Sequence, residues 1–93
     1  MRTIKRTVRF KRDFKRERKG AHQATIAQDL LSVVRLLVAD AGLPDRCRDH
    51  QLTGEWKDHR DCHIKPDLIL IYRKPDMETL ELVRLGSHSE LRL

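Results

Sequence analysis

Aromatic residues make up only 4% of this chain, and it has four glycines, three prolines and two cysteines. Each shortage excludes something. Cys47 and Cys62 are too few for the disulfide framework of a small secreted domain, so stability must come from a packed core. No stretch approaches the ~20 consecutive apolar residues that cross a bilayer, and no apolar segment follows the basic N-terminus as a secretory signal would require. Together these absences predict a reducing, cytoplasmic setting. Without repeats, low-complexity tracts or a credible linker, residues 1–93 read as one domain with one modest core.

Acidic residues are the other scarcity, and a local one. Residues 1–20 hold ten of the twenty Lys and Arg but only Asp13 and Glu17 as acids, a charge of +8. The remaining 73 residues carry ten basic and twelve acidic groups, a charge of −2. A field concentrated on one segment attracts polyanions, of which nucleic acid is the commonest. Lys11, Arg12, Lys15, Arg16, Arg18 and Lys19, with Lys65 further on, are therefore the predicted RNA- or ribosome-binding residues. The plainer reading is a solvated, solubilising helix face.

Hydrophobic periodicity orders the elements. "RTIKRTVRF" sets Thr3, Lys5, Thr7 and Arg9 against Ile4, Val8 and Phe10, with Arg6 breaking the apolar side, and predicts a first strand. "KRDFKRERKG" predicts a short basic helix, anchored through Phe10 and Phe14 and stopped at Gly20. In "ATIAQDLLSVVRLLVADAG", Ile26, Leu30, Val33 and Leu37 form one stripe, with Ala27, Leu31, Val34 and Val38 beside it. That is a core helix, ended by Gly42 and Pro44. "EWKDHRDCHI", a turn at Lys65 and Pro66, "DLILIYR", a turn at 75–76 and "TLELVRLG" predict antiparallel strands. The fold class is α+β: an N-terminal strand, then two helices packed on one face of a twisted, mainly antiparallel sheet.

Titratable groups crowd the mouth of the central hairpin. Period two points His59, Asp61 and His63 one way and Arg60, Cys62 and Ile64 the other. A tight turn would bring Asp67 beside His63, while His50 lies upstream and His88 follows the last strand. A zinc reading of Cys47-Arg-Asp-His50 and His59-Arg-Asp-Cys62 is disfavoured. The spacer is short, and alternation turns Cys62 away from the imidazoles. Both cysteines read as small buried hydrophobes, and His22 and His59 as surface hydrogen-bonding residues. Cutting RNA without metal needs a base for the 2′-hydroxyl, an acid for the departing 5′-oxygen and cations for the phosphate. Imidazoles perform both proton transfers near neutral pH. Arg84, Lys65 and Arg60 are the available cations.

"DHQLTGEWKDHRDCHIKPDLILIYR", residues 49–73, with "RLGSHSEL", residues 84–91, closely resembles the signature of YafQ-type toxins in the RelE/ParE superfamily. The resemblance implies a toxin of a type II toxin–antitoxin pair that enters the ribosomal A site, cuts translated mRNA without metal or cofactor, and is held inactive by an antitoxin encoded alongside it. It carries active-site status to His50, Asp61, His63, Asp67 and His88, with Arg84 assisting at the phosphate. It further implies His88 as general acid, with His50, or His63 together with Asp67, on the 2′-hydroxyl side. Trp56 and Leu52 are expected to pack the strand. One departure stands out: where the family often carries an aromatic after the final histidine, this chain has Leu91, Arg92 and Leu93. Two other readings remain: a ParE-like topoisomerase inhibitor that cuts nothing, and a nucleic-acid-binding module with incidental histidines.

Overall fold

The structure, a computed structural model, describes residues 1–20 and 23–93. His22, read as a surface residue, lies outside them. Strand β1 (Thr3–Arg6), helix α1 (Val8–Arg18) and helix α2 (Ile26–Val38) precede a two-residue strand β2 (His50–Gln51). Strands β3 (Arg60–Lys65), β4 (Leu68–Arg73) and β5 (Thr79–Gly86) and the single-turn helix α3 (His88–Leu91) complete the chain. One five-stranded sheet runs in the order β1-β5-β4-β3-β2. β1 lies parallel to β5, and every other pairing is antiparallel.

Three element boundaries differ from the sequence reading, each for a local reason. The first strand stops at Arg6 because Thr7 caps a helix: its Oγ1 accepts from the Phe10 amide at 3.0 Å and donates to the Val83 carbonyl at 2.8 Å. One hydroxyl thus starts α1 and latches it to β5. The second helix is closed by Asp40, not by Gly42. Asp40 takes a left-handed conformation (φ 55°), and the amides of Asp40 and Ala41 return to the carbonyls of Leu37 and Leu36. Arg2 and Lys74 both bind the Asp40 carboxylate and hold it down to about 2. Before β3, the stretch read as strand from Glu55 contains a 3₁₀ turn at Gly54–Trp56.

The sheet is buried on both faces. Phe10 of α1, the stripe Ile26, Leu30, Val33, Val34 and Leu37 of α2, and Leu68, Leu70 and Tyr72 of β4 share the main core. Cys47 and Cys62 pack there too, as small apolar groups, and burial pushes the Cys62 thiol far up. The flanking stripe of α2 is only partly used, since Leu31 stays 47% exposed. On the opposite face Ile69, Ile71, Val83 and Leu91 form a smaller cluster, braced by Leu52 and Trp56. A β-bulge where Ile71 pairs with Arg84 but Tyr72 with Leu82 shifts the alternation of β5. Strict alternation would group Arg84 with Leu80 and Leu82; the bulge instead pairs it with Ile71, whose side chain faces the smaller cluster.

Candidate active site

Pairing register brings the acids and imidazoles together. Asp61 and His63 lie opposite Ile71 and Ile69, so both project from the face that α1 and α2 leave open. β2 pairs antiparallel with β3 and sets His50 directly across from Asp61. The turn at Pro66 and Asp67 and the start of α3 then close on one another, with His88 Nδ1 3.2 Å from Asp67 Oδ1. The rings of His63 and His88 stack edge to face at 5.3 Å. His50, His63 and His88 all line a single open cavity of about 670 Å³.

Each imidazole has an oxygen at Nδ1. His50 Nδ1 lies 3.0 Å from the Arg48 carbonyl and 2.9 Å from Asp61 Oδ1. Only the carbonyl is aligned for a hydrogen bond, and among the described residues buried Asp61 Oδ1 has no hydrogen-bond partner. His63 Nδ1 faces the Pro66 carbonyl at 3.2 Å, and His88 Nδ1 faces Asp67. An acceptor at Nδ1 fixes the proton there, so Nε2 of the neutral ring can take a proton and Nε2 of the protonated ring can give one. Three rings held alike around one cavity can exchange protons with a group bound there.

Asp61 lies at the centre. Burial pushes its carboxyl above the ordinary value, and the positive charge of His50, then His63, then His88, pulls it back only in part. One buried carboxylate therefore feels all three rings. Asp61 is only 4% exposed, with its Oδ1 2.9 Å from His50 Nδ1. Asp67, expected beside His63, pairs with His88, because α3 brings the His88 amide as well as its ring to the carboxylate.

The predicted cations are mostly engaged elsewhere. Arg84 Nε binds Asp13 Oδ2 at 2.6 Å, and the guanidinium borders a neighbouring cavity beside Trp56 and Leu91. Asp13 also accepts from the Leu85 amide and from Arg16. Burial alone would raise Asp13, but the Arg84 and Leu85 bonds and the charges of Arg84 and Arg16 hold it below the usual range. Arg16 is further tied to Glu17 and Glu90. Arg60 holds Asp49 through two bonds, and Tyr72 donates to the same carboxylate at 2.5 Å. Lys65 lines the histidine cavity while bound to Asp29 at 2.6 Å and Thr25 at 2.7 Å. Lys11, Arg12, Lys15, Arg18 and Lys19 are exposed along α1, with Arg18 also lying over the Phe14 ring.

His59 packs edge-on against Trp56, away from the cluster. Trp56 and Leu52 brace the second core, as read from the sequence. Leu91, in the stretch where an aromatic was missed, is buried at 3% exposure and cannot stack on a base. Among the described residues, no group of three or more His, Cys, Asp or Glu is placed to hold a metal ion.

A family model described as "Bacterial toxin of type II toxin-antitoxin system, YafQ" matches residues 2–93. The chain belongs to the YafQ toxin family. It is 32% identical over 90 residues to the mRNA interferase toxin YafQ of Escherichia coli K12, covering 95% of this chain and 97% of that protein. The crystal structure of YafQ from E. coli BL21(DE3) superposes with a TM-score of 0.84 at 32% identity, covering 98% of each chain. YafQ in the crystal structure of the E. coli DinJ–YafQ complex gives a TM-score of 0.79 at 32% identity, again over 98% of each chain. The YafQ fold thus accounts for the helices packed on a mostly antiparallel sheet, including the N-terminal strand.

Proposed function

We propose that this YafQ-family toxin is an endoribonuclease that cuts translated mRNA in the ribosomal A site by histidine acid–base chemistry, without metal. One observation carries the reading: three imidazoles, each held at Nδ1 by an oxygen, share one cavity above a buried carboxylate. His50, set by the Arg48 carbonyl with Asp61 close by, takes the proton of the 2′-hydroxyl at Nε2. The 2′-oxygen bonds to phosphorus as the bond to the 5′-oxygen breaks, leaving a 2′,3′-cyclic phosphate. His88, entering the step protonated and oriented by Asp67, gives its Nε2 proton to the departing 5′-oxygen and is left neutral. His63, stacked on His88, donates to a phosphate oxygen when protonated, while Arg84, bound to Asp13, braces β5 against α1. The exposed cations of α1 hold the ribosome or RNA by its backbone.

The named relatives support this reading: one is an mRNA interferase, and another is seen in complex with DinJ. By the same likeness, this toxin is neutralised by an antitoxin that covers the histidine cavity or the basic helix.

His88→Ala tests the chemistry. Primer extension on transcripts after induction should show cuts for the wild type only while translation proceeds. The variant should cut at least ~10²-fold more slowly, the lower bound for losing a general acid, and still bind ribosomes. Equal cleavage by the variant would remove His88 from the mechanism. Toxicity without cleavage would favour a topoisomerase inhibitor.

A further inference from the structure

We propose that Arg46 and Arg48 form the phosphate clamp of the histidine cavity, gripping the non-bridging oxygens of the scissile phosphodiester. The assignment rests on the nuclease reading and adds a substrate-contacting role for two residues on the loop before β2. Both residues line the cavity with His50, His63 and His88. Both residues are exposed, and neither side chain makes a hydrogen bond or ion pair among the described residues. Arg84 and Arg60, the other arginines considered for the phosphate, are each bound to a carboxylate and lie off this wall. Lys65 reaches the wall but is neutralised by Asp29, whose charge Arg46 also feels at longer range.

Backbone geometry favours the same assignment. Arg46 sits in the 3₁₀ turn Asp45–Cys47, which buried Cys47 pins to the main core. Arg48 ends that turn in a left-handed conformation, φ 47° and ψ 44°, uncommon for a residue other than glycine. The bend turns the Arg48 carbonyl onto His50 Nδ1 while the residue itself lines the cavity. One residue thus orients the base through its backbone and presents a cation to the phosphate that this base attacks. Two guanidinium groups suit the task because their forked donors match phosphate oxygens and stay charged at every working pH.

The measurement is the single-turnover cleavage rate of an mRNA in a translating ribosomal complex, with toxin in excess. Arg46→Gln and Arg48→Gln should each slow cleavage about tenfold, and the double variant ~10²–10³-fold. The double Lys variant should recover to within about tenfold of wild type, and Arg35→Gln on exposed α2 should match wild type. The melting temperature of the Gln variants should match wild type if the side chains act on substrate. A double Gln variant cutting within twofold of wild type would overturn the clamp. A loss that Lys does not recover, with a lowered melting temperature, would also overturn it and assign the effect to loop shape. If the wild-type toxin itself cuts nothing, the nuclease reading falls first and the clamp with it.

Discussion

Ionising a carboxylate beneath a sheet face opposes folding unless its neighbours supply compensating charge. Asp61 receives such charge only from imidazoles that are protonated, and its carboxyl is raised above its ordinary value of 3.8. A carboxyl raised by folding favours the native state while protonated, and that contribution fades as pH climbs through the folded value. Ionised Asp61 therefore destabilises the toxin at neutral pH. Asp61→Asn should raise the melting temperature at pH 7 by a few degrees, as roughly 1 kcal/mol would for a chain of this size, while cleavage falls. An unchanged or lower melting temperature would show that the three rings compensate the charge fully. The residues of this site were legible because period two sorts strand faces and several titratable groups fell on one. Their partners were not legible: which ring takes Asp67 depends on where α3 docks, and no spacing along the chain encodes that.

A four-residue helix has no stability of its own, so α3 exists only by its attachments. Ser87 Oγ accepts from the Glu90 amide at 3.1 Å, and the Glu90 carboxylate accepts from the Ser87 amide at 2.8 Å, a reciprocal capping box. Arg16 of α1 binds the same carboxylate, and Leu91 plugs the second core. Gly86 belongs to this arrangement: a Cβ there would lie 3.1 Å from both Arg16 and Glu90. Ser87→Ala should weaken α3 by ~1 kcal/mol. The Leu91 amide, bonded to the Ser87 carbonyl, should then exchange about fivefold faster, and cleavage should slow because His88 is the first residue of this turn. Unaltered exchange at Leu91 would show that Arg16 and the core suffice. Periodicity found the long elements, α2 above all, since thirteen residues repeat the stripe enough times to be read. Boundaries escaped it where one polar side chain decides, as Thr7 does for α1 and Asp40 for α2.

Across the whole molecule, one buried acid joins the basic helix to the sheet. Asp13, 3% exposed, binds Arg84 and the Leu85 amide of β5 and Arg16 of its own helix. Its carboxyl is lowered from 3.8, so its contribution is complete above that value and disappears as pH falls below it through the folded value. Asp13→Asn should lower stability at pH 6 by ~3 kcal/mol, since it leaves Arg84 without its anion. In urea titrations the gap between variant and wild type should narrow toward pH 2. A gap independent of pH would mean that shape, not charge, makes the joint. The amino-acid order by itself determined the class of fold, the basic N-terminal segment, the central hairpin and the set of groups available for chemistry, because these follow from composition and from short periodic patterns. Tertiary structure alone decided which groups meet. The bulge in β5 moves Arg84 out of strict alternation, Asp13 occupies it, and the left-handed turn at Arg48 aims a backbone carbonyl at His50. Those outcomes depend on contacts between residues up to 71 positions apart, where sequence spacing carries no information about distance.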